Sequence, residues 1–273
     1  MLLSEATYLS YGGESVPLPV IDVLIPAIEK DLGTLPRVID SVRTMVQHPI
    51  GRILIVAPDT PRMRKLCADQ RCSFINERSV LPITKSDIRY RSARWERSGW
   101  LYQQLLKLGG AKLVSASHYL VIDADTILIR PHRFLTPDGK TIFYTRNWSQ
   151  PEYYVTYRKL LGREPARTSF VTHYMLFETA KVRRLKQTIE ARHGKSWYRA
   201  ILGSMNLNKQ FAFSEFETYA NYHLYSSPGR QILKPARNRS LSLRPSELSP
   251  ARVRQLAARY RSLSFHQRKV YAR

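Results

Sequence analysis

The stretch YLVIDADTILIR, residues 119–130, places two carboxylates between two apolar runs. Asp123 and Asp125 follow a run of apolar residues, and Ile127 begins a second apolar run directly after them. A carboxylate in apolar surroundings is costly unless a partner compensates its charge. We therefore expect a strand that runs out into a cleft, or a cation that holds the two acids. On an extended chain, residues two positions apart point to the same side, so both acids can face one cleft.

Carboxylate oxygens suit a hard divalent cation, Mg²⁺ or Mn²⁺ in particular. Such ions are held by one or two carboxylates, and substrate phosphates and waters complete the shell. The pair therefore predicts a phosphate-bearing ligand. An Asp-x-Asp in an exposed turn arises by chance, but the apolar flanks favour the metal–phosphate interpretation.

Upstream, continuous apolar strands alternate with amphipathic helices. Strands are predicted at 20–26, 52–59 and 72–77, and helices between them at 34–48 and 61–70. This alternation is typical of a parallel sheet with helices on both faces. Neither a Gly-x-Gly-x-x-Gly turn nor a P-loop is present. Further helices are predicted at 97–110, 179–194, 196–206 and 213–225, and further strands at 140–148 and 168–178.

The composition is that of a globular protein, 43% hydrophobic, with a formal net charge of +23. Such a charge attracts polyanions, although an arginine-rich proteome also explains it. No apolar run approaches the roughly 18–20 residues of a membrane span. Because the N-terminus also lacks the pattern of a secretory signal, we expect a cytoplasmic protein. Cys67 and Cys72 are too few for a zinc site, so we expect two reduced thiols.

The last segment, 228–273, is rich in arginine, and Glu247 is its only acid. A helix is predicted from Ser249, with an apolar stripe that includes Val253, Leu256 and Tyr260. Docking of this stripe on the rest of the chain is the favoured interpretation. Adhesion to the inner face of an anionic membrane and binding of a charged glycan are alternatives. The chain thus divides into a lead-in (1–19), a main domain (20–227) and a basic helical C-terminal extension (228–273).

The order of motifs over roughly residues 20–225 resembles that of GT-A glycosyltransferases. The motifs are IDVLIPAIEKD, GWxxQQxLKL, DADT, SFVTHYMLF and FSEFETYANY, and the most similar group is bacterial, of uncharacterised or polysaccharide-building transferases. The resemblance implies a GT-A-like, Rossmann-like α/β fold with a mostly parallel central sheet. It also implies transfer of a sugar from a nucleoside-diphosphate donor to a hydroxyl of a glycan or lipid-linked glycan, with Mn²⁺ or Mg²⁺.

The resemblance also implies roles for individual residues. Asp123 and Asp125 match the Asp-x-Asp that binds the metal and the donor diphosphate. Glu215 or Glu217 stands where inverting members keep their catalytic base. The pocket for the nucleotide sugar is expected to use Pro26, Ala27, Glu29, Asp59, Arg91, Arg94, Arg97, Gln103, Gln104 and His173.

Several points stay open at the level of sequence. A third metal ligand is not identified among His173, His223 and His266, and the Glu215–Glu217 pair does not decide between inversion and retention. Glu215 is also explained as an acid at a helix N-terminus after Ser214. His173 is also explained as a hydrogen-bonded core residue, and the three arginines as a solvated helical face.

Two other classes of function compete with the transferase. The charge, with interleaved tyrosine and arginine, also suits a nucleic-acid-binding protein, a metal-dependent nuclease or a transferase that acts on nucleic acid. A transferase fold that has lost turnover and only binds glycans is the third hypothesis.

Overall fold

The computed structural model describes residues 17–148 and 150–265. The strands within these residues are β1 (Ile21–Pro26), β2 (Ile50–Ala57), β3 (Ser73–Asn76), β4 (His118–Ile122), β5 (Thr126–Leu128), β6 (Thr141–Thr145), β7 (Tyr174–Glu178), β8 (Gln231–Pro235), β9 (Asn238–Ser240) and β10 (Ser262–Ser264). The α-helices are α1 (Leu35–Met45), α2 (Pro61–Asp69), α3 (Ser98–Gly109), α4 (Pro151–Leu161), α5 (Thr179–His193), α6 (Trp197–Ser204), α7 (Glu215–Ser226) and α8 (Pro250–Ala257).

The central sheet has five strands in the order β3-β2-β1-β4-β7. The first four strands run parallel, and β7 is antiparallel to β4. The predicted α/β fold with a mostly parallel sheet is therefore confirmed. Because β1 and β4 are neighbours that run in the same direction, the residues that follow them meet at one edge of the sheet.

Burial on both faces explains why β1 reads as a continuous apolar run. Val23 and Ile25 pack in one core cluster with α1, whereas Leu24 packs in the other with α3. Asp22 is the polar exception, and its carboxylate accepts hydrogen bonds from the backbone N–H of Arg52, at 2.8 Å, and of Ser115, at 3.0 Å. Because successive side chains of β1 point to opposite faces of the sheet, a buried layer lies on each face.

The stretch 119–130 contains one strand before the two acids and one after them, but the acids themselves are not on extended chain. β4 ends at Ile122 and β5 begins at Thr126, and a turn between them carries Asp123 and Asp125. The Thr126 N–H closes this turn on the Asp123 carbonyl at 3.1 Å. The strand geometry used to place the two acids on one side therefore does not apply, although both still face the same cleft.

The segment after residue 228 is joined to the preceding chain by strand pairing. β8 pairs parallel with β6, and β10 lies between β5 and β9. Val253, Leu256 and Tyr260 pack against a small cluster that includes Leu263, as the docking interpretation predicts. The predicted helix is shorter than expected, since α8 ends at Ala257. Within the described residues, no helix combines the length and apolar character needed to cross a bilayer.

Candidate active site

A cleft of about 890 Å³ opens at the edge of the sheet where β1 and β4 end. Pro26, the last residue of β1, lies on one side, and Asp123 to Asp125 follow β4 beside it. One face of α3 and the first residues of α7 also line the cleft. This is the place where open α/β sheets bind ligands.

Lys107, on α3, forms ion pairs with two acids of the cleft. Its Nζ lies 2.5 Å from Asp123 Oδ1 and 2.7 Å from Glu215 Oε1. Burial alone would raise the pKa of Asp123, but the Lys107 ammonium and His173 outweigh it and hold this pKa well below its usual range. Burial likewise would lower the pKa of Lys107, but the two carboxylates raise it. Asp123 is therefore ionised, and Lys107 carries its charge in a place that water hardly reaches.

Glu215 differs from Asp123 in its electrostatics. Burial raises the pKa of Glu215, and the negative charge of Asp123 acts in the same direction, while Lys107 opposes both. It is the first residue of α7, directly after Ser214, whose hydroxyl caps the helix by accepting the Glu217 N–H at 3.2 Å. The helix N-terminus thus presents Glu215 to the cleft, and its positive end favours the carboxylate form.

His173 lies in the cleft with a backbone conformation that the sequence did not suggest. Its φ is +69°, in the left-handed region, where a residue other than glycine is uncommon. In this conformation its carbonyl accepts the Asp123 N–H at 2.9 Å, and its ring Nδ1 lies 3.1 Å from Asp123 Oδ2. The strand that was predicted from residue 168 therefore begins only after His173, at Tyr174. Such strain is retained at functional sites when the surrounding contacts fix it.

Two further carboxylates stand near Asp123. Asp125 is half-buried in the cleft wall, and its backbone carbonyl accepts the N–H of Phe265 at 2.9 Å. Burial raises the pKa of Asp31 to about 6, and the charges of Asp125 and Asp123 contribute to this rise. A cation placed among these acids would relieve their mutual repulsion. Among residues 17–148 and 150–265, however, no group of three or more His, Cys, Asp or Glu side chains is arranged to hold a metal ion without help.

The other end of α3 builds a different wall. Arg97, the residue before the helix, is 6% exposed, and its guanidinium lies over the rings of Phe211 at 4.5 Å and Trp100 at 5.3 Å. Gln104, between Arg97 and Lys107 on the same face, is 4% exposed. Its Oε1 accepts the Glu215 N–H at 3.3 Å, and its Nε2 has no hydrogen-bond partner among the described residues.

Most of the residues predicted for the site come together in this cleft. The lining includes Pro26, Arg94, Arg97, Gln103, Gln104, Asp123, Asp125, His173 and Glu215.

Five predicted residues do not line the cleft. Ala27 packs in the core, and Glu29 is exposed in a short 3₁₀ turn after β1. Asp59 is exposed and accepts two hydrogen bonds from Arg64, at 2.6 and 2.7 Å. Arg91 forms a backbone bridge with the chain at position 96, so the three arginines do not share a helical face.

Glu217 is the fifth, and it lies behind the cleft wall. It is fully buried, and its Oε1 accepts hydrogen bonds from Ser169 Oγ at 2.5 Å and Phe170 N–H at 3.1 Å. Burial raises the pKa of Glu217 to about 7. Of the other histidines proposed as ligands, His223 is buried beside Lys181 at 3.0 Å, and His266 lies outside the described residues.

Several residues of the cleft were not predicted from the sequence. Lys107 stands inside the GWxxQQxLKL motif, and its spacing of three from Gln104 and ten from Arg97 places it on the same helical face. Asp31 belongs to the first motif and follows β1 closely. Both signals were available from the sequence. Tyr153, Arg146 and Phe211 come from distant segments, and only the folded chain brings them to the cleft.

Comparison with solved structures finds proteins with a similar fold. Mouse xyloside xylosyltransferase 1 in its apo form matches with a TM-score of 0.50 at 13% identity, over 91% of this chain and 98% of that chain. The apo bifunctional glycosyltransferase WbbM matches at 11% identity and a TM-score of 0.49 over 94% of this chain, which spans 47% of WbbM. The galactosyltransferase LgtC in complex with donor and acceptor sugar analogues matches at 13% identity and a TM-score of 0.45, over 90% and 87% of the two chains.

The mixed sheet with helices on both faces is thus the fold of GT-A glycosyltransferases, as predicted. No curated protein matches this sequence. A family described as "Family of unknown function (DUF6492)" matches residues 21–235, which is most of the chain. This chain therefore belongs to the DUF6492 family.

Proposed function

We propose that this chain is a glycosyltransferase that moves a sugar from a nucleoside-diphosphate donor to a hydroxyl of a glycan or lipid-linked glycan. The observation that carries the proposal is the convergence of Asp123, Asp125 and Glu215 on one cleft at the carboxyl ends of β1 and β4. The fold supports it, because the mouse xylosyltransferase has the same architecture. Membership of a bacterial group that builds polysaccharides remains part of the proposal.

The carboxylates of the cleft suit a divalent cation whose coordination shell is completed by the substrate. Asp125 faces the cleft, and Asp123 is kept ionised beside it by Lys107 and His173. The protein usually contributes one or two carboxylates to the coordination shell of such an ion, and substrate phosphates and waters supply the rest. Asp125 would be the principal ligand, since Asp123 already uses Oδ1 for Lys107 and Oδ2 for His173. When bound, the cation neutralises the leaving diphosphate.

Glu215 is the proposed general base if the reaction inverts. Its carboxylate lines the cleft, and its raised pKa brings it nearer to the strength needed to accept a proton from an acceptor hydroxyl. That oxygen then bonds to the anomeric carbon as the bond to the diphosphate breaks. Glu217 has no route to a substrate in this structure, so we assign it a positioning role through the chain around Ser169.

The competing hypotheses gain less support. The acids of the cleft are also compatible with a metal-dependent nuclease, but the fold match does not favour one. A fold that binds glycans without turnover would keep donor affinity and show no transfer.

A thermal-shift screen of nucleotides and nucleotide sugars, with and without Mn²⁺, tests the proposal. We expect one nucleoside diphosphate or its sugar to raise the melting temperature by several degrees in a Mn²⁺-dependent manner. Asp125→Ala should remove the dependence on Mn²⁺, and Asp69→Ala, which changes an exposed acid paired with Lys65, should not. A shift in Asp125→Ala equal to that of the wild type would contradict the assignment.

A further inference from the structure

Lys107 stands where the proposed cation needs a carboxylate oxygen. Its Nζ lies 2.5 Å from Asp123 Oδ1, and the proposed function places a divalent cation beside the same side chain. Two cations on one carboxylate repel each other, and the repulsion is strong in a site that water hardly reaches. A cation that uses both Asp123 and Asp125 therefore requires Lys107 to give up Oδ1.

The other contacts of Asp123 hold it in place during such an exchange. Its backbone N–H donates to the His173 carbonyl at 2.9 Å, and its Oδ2 lies 3.1 Å from the His173 ring Nδ1. Neither contact involves Oδ1, so a change of partner at Oδ1 leaves both intact. Asp123 can thus stay where it is, and the group that has to move is the ammonium.

The ammonium has a second place for its charge. Lys107 Nζ also lies 2.7 Å from Glu215 Oε1 and 4.6 Å from the centre of the Phe216 ring. Glu215 is held on α3 a second time, because Gln104 Oε1 accepts its backbone N–H at 3.3 Å. A lysine ammonium has several N–H donors on a flexible stem. It can therefore leave Asp123, remain paired with Glu215, and strand no buried charge.

We propose that Lys107 is an internal counter-cation: it occupies Asp123 Oδ1 before a metal binds, and it pairs with Glu215 alone once a divalent cation lies on Asp123 and Asp125. This inference rests on the metal site of the proposed function and adds a positioning residue to it. Glu215 then favours metal binding without being a ligand, because it receives the displaced ammonium. By the same coupling, the bound metal fixes the ammonium on the proposed base.

Removal of the internal counter-cation should strengthen metal binding. Lys107→Met leaves Oδ1 of Asp123 open, and we expect the affinity for Mn²⁺ alone to rise about tenfold. Such a rise corresponds to an ammonium that blocks Asp123 about nine-tenths of the time. A lysine that only holds the acids in position predicts the opposite result, weaker binding of Mn²⁺ after its removal.

Removal of the second place for the ammonium should weaken metal binding. In Glu215→Gln the charge of Lys107 is left with Asp123, so we expect the affinity for Mn²⁺ to fall about tenfold. In the double variant with Lys107→Met, the same change at Glu215 should cost less than about twofold, because no ammonium needs to be received. A general loss of negative charge would cost the same in both backgrounds.

Titration of the four proteins with Mn²⁺ at pH 7 tests the proposal, and the electron paramagnetic resonance signal of free Mn²⁺ measures each affinity. Lys112→Met is the matched control, since Lys112 is exposed and its Nζ donates to the Ser79 carbonyl at 3.0 Å. Its affinity for Mn²⁺ should stay within about twofold of the wild type. If Lys107→Met does not fold, Lys107→Gln removes the charge with a polar side chain and should give the same sign.

Thermal unfolding gives a second measure of the exchange. Mn²⁺ should raise the melting temperature of Lys107→Met by more than that of the wild type, because it binds the variant more tightly and replaces the missing charge. An equal or smaller rise in the variant would contradict the exchange.

The outcomes separate this inference from the function on which it rests. Weaker Mn²⁺ binding by Lys107→Met, an equal cost of Glu215→Gln in both backgrounds, or an equal gain in Lys112→Met would overturn the internal counter-cation and leave the metal site standing. Binding by Lys107→Met but not by the wild type would support the inference. Binding of Mn²⁺ by none of the proteins would overturn the metal site itself, and this inference with it.

Discussion

Lys107 is the residue on which the electrostatics of the cleft depend. Its ammonium bridges Asp123 and Glu215, and its side chain is 8% exposed. Paired buried charges add little net stability, but removal of one partner leaves the others uncompensated. Its positive charge therefore offsets the burial of two acids that lie close to each other.

We expect Lys107→Met to lower the free energy of unfolding by about 3–5 kcal/mol at pH 7, because it strands two carboxylates. Urea unfolding at pH 7 measures the change. The double variant Lys107→Met with Glu215→Gln should recover part of the loss, since it removes one stranded charge. A loss below about 1 kcal/mol in the single variant would show that the ion pairs are not formed as described.

Asp31 should make stability depend on pH in a predictable direction. Burial raises its folded-state pKa from 3.8 to about 6, so the folded state binds a proton more readily than the unfolded state. This group then disfavours folding increasingly as the pH rises from about 4 to about 6, with a total of about 3 kcal/mol. Asp31→Asn removes that term and can still accept the Ile28 N–H.

The measurement is the difference in unfolding free energy between Asp31→Asn and the wild type at pH 4 and pH 7. From pH 4 to pH 7, the free energy of unfolding of the variant should rise by about 3 kcal/mol relative to that of the wild type. An unchanged difference would mean that Asp31 is ordinarily solvated.

Glu215 and Glu217 stand two residues apart but should respond differently to the same change. Glu215→Gln removes the proposed base and should lower the transfer rate by about 10²–10⁴-fold. Glu217→Gln should change it less than tenfold, because its carboxylate faces Ser169 and Phe170 rather than the cleft. Rates with a fixed donor and acceptor measure both variants, and equal losses would refute the assignment of the base to Glu215.

At the scale of elements, local sequence patterns predicted the first half of the fold well. β1, α1, β2, α2 and α3 are found close to the predicted ranges, because each carries its own periodicity and its own start or stop residue. Thr34 directly precedes α1, but its side chain makes no capping hydrogen bond. The helix is fixed by Pro36 and by its buried face rather than by that cap.

α4 was missed although Pro151 opens it and the left-handed Gly162 ends it, whereas β9 and β10 depend on contacts with distant parts of the chain. β9 and β10 have three residues each, and β10 pairs with β9 on one side and with β5 on the other. The break between β4 and β5 is set by the bond from Asp123 to the left-handed His173, fifty positions later in the sequence. No local pattern contains that information, so the position of the acids was predicted but not the turn that holds them.

The small sheet of β5, β9 and β10 should support the Asp125 turn. Leu263 is fully buried in β10. Phe265 stands two positions later in the chain, and its N–H donates a hydrogen bond to the Asp125 carbonyl. We expect Leu263→Ala to lower the free energy of unfolding by about 2–5 kcal/mol and to weaken Mn²⁺-dependent nucleotide binding. Leu233→Ala, at a 47% exposed position, is the control.

Denaturant unfolding and the nucleotide shift, measured on both variants, test this link between element and site. Loss of stability without loss of nucleotide affinity would show that the turn is held independently of β10.

At the scale of the whole molecule, the site is assembled from segments that are far apart in sequence. The acids follow β1 and β4, the arginine and lysine face comes from α3, and Glu215 opens α7. The sequence predicted these segments where they carried a motif and missed residues such as Arg146 and Tyr153, which have no motif. The net charge of +23 agrees with an anionic partner but did not indicate where such a partner would bind.

The central claim is that Asp125, beside an ionised Asp123, holds a divalent cation to which the donor diphosphate binds. A crystal soaked with Mn²⁺ and the nucleoside diphosphate from the thermal-shift screen tests it by anomalous scattering. The account predicts a manganese peak within coordination distance of an Asp125 carboxylate oxygen, about 2.0–2.2 Å away, with phosphate oxygens on the same ion. Nucleotide bound in the cleft without manganese, while Asp123 and Asp125 keep only protein partners, would contradict it.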